Sequence, residues 1–318
     1  ALARVVKQQG DSAIDLLGFL GWMGRYWRKK NISAELKKRI SQAVLGYSYL
    51  FETTNVSSQF RVDTQFTEES REFLTGVCEI LAGQQFAQQE FGVSGKTGAW
   101  HQAHGEAAVV QWMTDRGKYG LRNWDSAGGI EASLAGLSHL VDLAQSVEVR
   151  ELAATLMDKT FFLLGLNSFT GSLSACHSES DLGSLGSSRL SPVAGIQRLM
   201  WGMGTFNDHD MGVVSLACCK NYALPDIIRK VATHISGATW GRERVRSANP
   251  SAGTEAYKVI YKTADFFLSS LQDYGCGKPG EFEQVWQATM GADARVFTNH
   301  PRLLSANSGL LPNLWQGH

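Results

Sequence analysis

The sequence predicts a mainly α-helical protein whose successive helices form antiparallel hairpins, followed by a β region near the C-terminal end. Three observations predict this fold class. Segments with apolar residues at three- and four-residue spacing follow one another between Ile14 and Ile235. Many connections between them are short, which places successive helices side by side. From Tyr257 onward, short runs of β-branched and aromatic residues replace the helical spacing.

The helical segments begin at residues that favour helix starts. Asp11 and Ser12 precede the first apolar stripe, and Ser33 opens the second. Thr67 starts a third helix, which is expected to stop at Gly83. Six further helices are predicted at about 99–113, 129–144, 147–166, 192–203, 209–221 and 225–235. No fixed repeat period relates them, so the pattern favours an irregular α/α toroid or bundle over a regular solenoid.

Four short strands are predicted in the β region, at about 257–261, 266–271, 283–289 and 295–298. Four strands of this length need other structure to cover them. We therefore divide the chain into a helical domain of residues 1–250 and a β region of residues 251–318. The β region is expected to be the start of a larger β domain.

Composition argues against several classes of function. Lys and Arg total 30, as do Asp and Glu, so no overall charge attracts the protein to nucleic acid or to an anionic membrane. No apolar stretch is long enough to span a bilayer, and no signal-peptide pattern is visible. The five cysteines contain no CxxC pair. We predict no nucleic-acid or membrane partner and leave the oligomeric state open.

Common motifs for nucleotide, metal and nucleophile sites are missing from the sequence. It contains no phosphate-binding glycine loop, HExxH helix or GxSxG turn. His101 and His104 are predicted to share one face of a helix start, but a metal site would need a third ligand, and none is near in sequence. No cofactor and no metal are therefore predicted.

The segment Leu121–Ser126 contains the first group of candidate binding residues. Trp124 offers a flat apolar face for a sugar ring, while Arg122 or Asp125 can bind the polar edge of the sugar. In the alternative interpretation, Asp125 or Ser126 caps the helix that follows. The sequence leaves both interpretations open.

A polar segment at 167–191 and the β region contain further candidates. A segment of this length without a helical or strand pattern is typical of a functional or mobile loop. Within it, His177 is the favoured histidine and Arg189 is a nearby cation. The β region adds three candidates: Tyr261, Tyr274 and His300.

Several segments, in their order along the chain, resemble heparinase-like proteins of the polysaccharide-lyase kind. They are LAGQQF at 81–86, SGKTGAWH at 94–101, NWDS at 123–126, the Cys176-His177 loop, RLMWGMG at 198–204, YKTADFFLSSLQDY at 261–274 and VWQATMGADARVFTNHP at 285–301. The resemblance covers roughly residues 60–318 and implies an α/α toroid, an incomplete barrel of helix hairpins, followed by an antiparallel β-sandwich. It also implies a secreted or periplasmic enzyme.

The resemblance implies β-elimination on a polysaccharide or oligosaccharide that contains uronic acid. By resemblance and chemical type, an arginine neutralises the sugar carboxylate, a histidine takes the C5 proton, and a tyrosine gives a proton to the leaving oxygen. The catalytic candidates are His101, His177, Tyr261 and Tyr274. The candidates for substrate binding are Arg71, Arg122, Trp124, Asp125, Arg189 and His300.

The sequence departs from the family pattern at two places. Where the pattern has Glu-Asn-His, this chain has Glu69-Ser70-Arg71, and where it has His-Gly-Arg, this chain has His177-Ser178-Glu179. Either this branch uses a different constellation or it has lost catalysis. Two alternatives therefore stay open: a non-catalytic glycan-binding protein, and a glycoside hydrolase that uses two carboxylates. The candidate carboxylates are Asp125, Glu131, Glu179, Asp181 and Asp208.

Overall fold

The mainly α class with a β region is confirmed by the computed structural model. The structure describes residues 1–30, 32–49, 68–178, 182–234, 236–246, 255–272 and 284–299. These residues form eleven α-helices and two antiparallel sheets.

All nine predicted helices are present, and two short ones are added to them. The helices are α1 Leu2–Lys7, α2 Ser12–Tyr26, α3 Ala34–Leu45, α4 Glu68–Gln85, α5 Gly98–Tyr119, α6 Ala127–Leu143, α7 Val147–Leu166, α8 Leu182–Gly186, α9 Ala194–Trp201, α10 Met211–Cys218 and α11 Asp226–Thr233. The largest difference from prediction is the end of α5, which continues past residue 113. Helices α1 and α8 were not predicted, because they are too short for a clear apolar period.

The predicted start of α3 is confirmed by a side-chain cap. Ser33 Oγ accepts the main-chain N–H of Leu36 at 3.2 Å, which satisfies one of the unpaired donors of the first turn. Asp11 precedes α2 as expected, but its side chain makes no capping hydrogen bond.

The β region contains one more strand than predicted and begins earlier. Its five strands are β3 Thr239–Arg246, β4 Glu255–Lys262, β5 Phe267–Gln272, β6 Gln284–Gly291 and β7 Ala294–Asn299. Two shorter strands, β1 Ser168–Phe169 and β2 Ser172–Leu173, precede it in the chain. Strand β3 lies before the predicted boundary at residue 251. Its sequence, TWGRERVR, contains four charged residues and a glycine and lacks the β-branched run by which strands are recognised. Strands β1 and β2 form a small hairpin within the predicted polar loop.

The five long strands form an antiparallel sheet in the order β3-β4-β5-β6-β7. Alternate residues of each strand point to opposite faces, so the register defines rows of side chains across the sheet. One row contains Trp240, Tyr261, Leu268, Ala288 and Val296, each directly opposite the next. We call the face that holds this row the outer face.

The chain divides into two compact units. Unit 1 comprises residues 1–114, 135–155 and 219–222, and unit 2 comprises residues 115–134, 156–218 and 223–318. This division differs from the predicted domains, because unit 2 includes helices as well as the five-stranded sheet. In unit 2, the inward-facing Ile260 and Phe267 pack in one buried cluster with Phe169 and Ala175.

Helices α2 and α6 approach closely in unit 1, where His139 faces Gly21. A Cβ at Gly21 would lie 2.3 Å from Nε2 of His139, so only glycine fits there without a rearrangement. His139 Nδ1 donates to the carbonyl of Ala135 at 2.8 Å. Burial lowers the pKa of His139 to about 4, because the charged imidazolium is poorly solvated in this interior.

This buried histidine predicts an acid-dependent loss of stability. Because its folded pKa lies below the unfolded value of about 6.5, His139 costs nothing at neutral pH. As the pH falls from about 6.5 to about 4, this histidine becomes protonated in the unfolded state but stays neutral in the folded state. The free energy of unfolding therefore decreases by up to roughly 3 kcal/mol. We expect His139→Gln to flatten the decrease in unfolding free energy over this range, as measured by urea titration at several pH values.

The matched control is His234→Gln, at an exposed position. This variant is expected to keep the wild-type decrease. A decrease of equal size in His139→Gln would contradict the assignment.

Candidate functional site

The predicted site residues fall in both compact units. Arg71 and His101 lie in unit 1. Unit 2 contains Arg122, Trp124, Asp125, His177, Arg189 and Tyr261. Tyr274 and His300 lie outside the residues that the structure describes.

His101 belongs to a buried polar cluster at the start of α5. Its Nδ1 lies 2.6 Å from Oε1 of Glu79 on α4, and its Nε2 lies 2.6 Å from Oγ of Ser94. His104, one helical turn later, places Nδ1 3.0 and 3.1 Å from the two carboxylate oxygens of Glu79. The two histidines thus share one face, as predicted, and are held by one carboxylate.

The imidazole of His101 does not reach the surface. It is 1% exposed, and the ring centroids of Phe91 and Trp100 lie 4.5 and 5.1 Å from its own. The predicted role of His101 as a base acting directly on a sugar therefore needs correction, since a polymer cannot contact this ring. The side chain of His104 is 44% exposed and stacks on Trp100.

The close approach of α4 and α5 brings Glu79 to the histidines. Gly83 lies one turn after Glu79 on α4, so the two residues share a face. A Cβ at Gly83 would lie 2.5 Å from the nitrogen of Gln102 and 2.6 Å from the oxygen of Gly98.

Arg71, the other candidate in unit 1, is partly buried, and its Nε has no hydrogen-bond partner among the described residues.

Trp124 and Asp125 are interior residues, which corrects their prediction as a sugar-binding pair. Trp124 is 4% exposed and packs in an apolar cluster with Cys176 and Leu271. Asp125 pairs with the buried ammonium of Lys258 on β4. The capping interpretation is correct for Ser126, whose Oγ accepts the N–H of Gly129 at 3.2 Å.

Asp125 and Lys258 belong to a buried ionic network with two more members. Lys258 Nζ lies 2.8 Å from Oε2 of Glu243 on β3. Nδ2 of Asn167 donates to Asp125 Oδ1 and to Glu243 Oε2, each at 3.1 Å. Three ionisable side chains are therefore paired with one another in the interior of unit 2, and the amide nitrogen of Asn167 bridges the two carboxyls.

The pKa values of the two carboxyls in the network are shifted in opposite directions. Burial raises the pKa of Asp125 to about 6, and the nearby Lys258 only partly opposes this. Burial also acts to raise the pKa of Glu243, but Lys258 and Asn167 outweigh it and the net shift is downward. The pKa of Lys258 is raised, because attraction by the two carboxyls exceeds the effect of its burial.

Three further candidates of unit 2 reach the surface. His177 Nδ1 donates to the carbonyl of Ala175 at 3.0 Å, and its ring is partly exposed. Arg189 is exposed and forms an ion pair with Asp293 at 3.0 Å. Arg122 is also exposed.

The outer face of the sheet carries exposed aromatic and cationic side chains. Trp240 is 56% exposed and Tyr261 is 38% exposed, and they lie directly opposite each other on β3 and β4. The guanidinium of Arg242 lies 4.5 Å from the Trp240 ring centroid, and that of Arg244 lies 5.2 Å from the Tyr257 centroid. Two cation–π pairs thus lie beside the candidate tyrosine.

Glu79, Lys258 and Arg242 were not among the predicted site residues, although the sequence contains a signal for two of them. Glu79 interrupts the apolar run Val77–Ala82 on a helix, and a charge in such a run needs a buried partner. Strand alternation places Lys258 on the same side as Ile260, which faces inward. Arg242 had no comparable signal, because β3 itself was missed.

The carboxylates of the hydrolase alternative do not form an open pair among the described residues. Asp125 is used by the ionic network, and buried Glu131 accepts the N–H of Gly212 at 3.1 Å. Asp208 is exposed, whereas Glu179 and Asp181 lie outside the described residues.

Searches of the described residues for two other features found neither. None of their helices combines the length and apolar character needed to cross a membrane. No group of three or more His, Cys, Asp or Glu side chains among them is arranged to hold a metal ion.

Comparison with known proteins found no matching family model, curated protein or solved structure. The resemblance to heparinase-like proteins therefore stays a prediction.

The helix contact at Gly83 gives a first testable prediction. Gly83→Ala places a methyl group against the main chain of α5, which cannot move aside as a side chain would, so we expect a loss of about 1–3 kcal/mol in unfolding free energy. Gly117→Ala, where an added Cβ meets no atom within 4 Å, is expected to be neutral or stabilising by about 0.5–1 kcal/mol. Denaturant titration measures both. Equal stability of the two variants would show that the contact is not tight.

The ionic network gives a second prediction. Lys258→Met leaves two carboxyls buried without their cation, and we expect a loss of roughly 3–5 kcal/mol. Lys262→Met is the matched control, since Lys262 is buried on the same strand and its Nζ lies 3.4 Å from the Ser168 carbonyl. Denaturant titration is expected to show the smaller loss for Lys262→Met, and the reverse order would contradict a stabilising role for the network.

Proposed function

We propose that this protein is a carbohydrate-active enzyme that binds a polysaccharide containing uronic acid and cleaves it by β-elimination. The observation that supports this proposal is the outer face of β3 and β4. There, two arginines and three aromatic rings are exposed, and one of the rings is that of the candidate tyrosine, Tyr261.

The composition of this face suits an anionic polysaccharide. A uronate polymer presents carboxylates along a chain of rings that have apolar faces. Arg242 and Arg244 can bind carboxylates through paired N–H donors, which a lysine cannot do as well. Trp240 and Tyr261 provide flat apolar surfaces on which sugar rings can pack.

The elimination requires three roles. A cation neutralises the C6 carboxylate, so that a base can remove the C5 proton. The electron pair then forms the C4–C5 double bond as the C4–O bond breaks, and an acid protonates the leaving oxygen. We assign the cation role to Arg242 and the acid role to the phenol of Tyr261.

We assign the base role to His177. A carbonyl oxygen can only accept, so the contact with Ala175 fixes the proton of neutral His177 on Nδ1. Nε2 is then the nitrogen that takes the C5 proton. The assignment requires His177 Nε2 and Tyr261 Oη to reach the same sugar residue.

The same proposal includes the finer architecture and location that the resemblance implies. These are an α/α toroid followed by an antiparallel β-sandwich, and secretion or export to the periplasm. The partner is a polysaccharide or an oligosaccharide derived from it.

Non-catalytic glycan binding is a second candidate. Arg71 and Glu179 replace residues of the family pattern, and this departure favours binding without cleavage. Under this alternative, the outer face binds the polymer but no bond is broken.

The test is incubation with a panel of uronate polysaccharides while ultraviolet absorbance follows the unsaturated product. Tyr261→Phe removes the donated proton but keeps the ring, so we expect elimination to slow by about 10²–10⁴-fold with little change in binding. Arg242→Gln is expected to weaken binding and elimination together. Tyr26→Phe, at an exposed tyrosine of unit 1, is the matched control and is expected to retain full activity.

Other outcomes would decide against elimination. Binding without any unsaturated product, from folded protein and across the whole panel, would establish the non-catalytic alternative. New reducing ends without the chromophore would indicate hydrolysis.

A further inference from the structure

Three side chains of unit 1 form a continuous hydrogen-bonded series. Ser94 Oγ lies 2.6 Å from Nε2 of His101, and Nδ1 of the same imidazole lies 2.6 Å from Oε1 of Glu79. Both distances are short for hydrogen bonds of this type. The proposed elimination does not use this series, which lies in the other compact unit.

The neutral form of the imidazole gives the series one direction. An ionised carboxylate can only accept, so Nδ1 of His101 donates its N–H to Glu79. In the neutral imidazole, Nε2 is then the acceptor, and the hydroxyl of Ser94 donates to it. The order is a serine hydroxyl, a neutral imidazole oriented by a carboxylate, and the carboxylate itself, which is the arrangement that activates a serine nucleophile.

The surroundings hold this geometry in place. Ser94 lies in a short loop closed by the bridge between Glu90 and Thr97 and by a 2.8 Å bond from Gly95 N to the Phe91 carbonyl. Phe91 also packs against the imidazole of His101. Both the hydroxyl and its base are therefore positioned before any substrate arrives.

Access to the series is through Ser94. Glu79 and His101 are buried, whereas Ser94 is partly exposed. A Cβ at the neighbouring Gly95 would meet no atom within 4 Å, so there is open space beside the serine. Trp100, which contacts His101 edge to face, is 38% exposed and adds a flat apolar surface.

We propose that Ser94 is a nucleophile activated by His101 and Glu79, and that this site hydrolyses carboxylic esters bearing a flat apolar group that packs on Trp100. This is a second activity, independent of the proposed polysaccharide cleavage.

Each step of the hydrolysis uses groups that are present. Ser94 Oγ attacks the ester carbonyl carbon while its proton passes to Nε2 of His101, and Glu79 stabilises the resulting imidazolium. The N–H of Lys96, 3.2 Å from Oγ, stabilises that oxygen as it loses the proton. The ester C–O bond then breaks, and His101 gives the proton to the departing alcohol. In the second half, water attacks the acyl carbon while its proton passes to Nε2 of His101. The bond from that carbon to Ser94 Oγ then breaks, His101 returns the proton to Oγ, and the acid is released.

The experiment uses a fluorophosphonate probe on the full chain. An activated serine displaces fluoride from such a probe and forms a stable phosphorus–oxygen bond. We expect one label, located on Ser94 by mass spectrometry of the digested wild-type protein, and hydrolysis of aryl acetates that the probe inhibits.

Three variants test whether His101 and Glu79 activate the hydroxyl of Ser94. Ser94→Ala is expected to abolish labelling, and Glu79→Gln to slow it by about 10²-fold or more, because the imidazolium loses its counter-charge. Ser48→Ala, at a partly buried serine of the same unit, is the matched control and is expected to label like the wild type. Ser94→Ala is expected to leave polysaccharide elimination unchanged, so failure of one proposal does not imply failure of the other.

Mapping on the wild-type protein keeps the proposal falsifiable even where a variant does not fold. Folded wild type that carries no label on Ser94 would overturn it. A label on Ser94 that forms equally fast in folded Glu79→Gln would also overturn it, since the carboxylate would then have no role in activation.

Discussion

A single buried ammonium group, Nζ of Lys258, is the interaction on which the arrangement of unit 2 depends. It pairs with Asp125, which directly precedes the cap of α6, and with Glu243 on the neighbouring strand β3. Asn167, just after α7, donates to both carboxyls and joins the end of that helix to the network. Buried charges are stable only when they are paired, so the strand, the helix start and the helix end must stay in register. The outer face is positioned by the same two strands, because Tyr261 and Arg242 alternate with the inward-facing Lys258 and Glu243.

Helices were predictable from the sequence because their signals are local. The spacing of apolar residues and caps such as Ser33 lie within one segment, and α7 has the predicted limits. Strand β3 was not predictable in this way. Its stability derives from pairing with β4 along eight residues and from burial of Glu243 against Lys258 on that next strand. The sequence of a strand that buries a charge resembles that of a polar loop, and it can be recognised as a strand only when the residue that pairs with the charge is known.

The candidate site residues could be predicted by type, but their surroundings could not. His101 and Tyr261 were identified because histidine and tyrosine can transfer protons and because their segments resemble those of heparinase-like proteins. Their surroundings depend on residues distant in sequence, such as Glu79 for His101 and Trp240 for Tyr261. Trp124 was misjudged for the same reason, since an aromatic residue beside an aspartate suits a binding site and a core equally well. Only the position of Leu271 and Cys176 against the ring decides for the core.

The outer face has different chemistry along its two directions. A polymer lying across the strands meets a side chain at intervals of roughly 4.8 Å, and the row from Trp240 through Tyr261 to Val296 carries no charge. A polymer lying along β3 instead meets every second residue, at roughly 6.6 Å, in the order Trp240, Arg242, Arg244. The first path offers packing alone, and the second offers one ring followed by two cations. If a polymer binds this face as proposed, its orientation determines whether its charge or its shape is recognised.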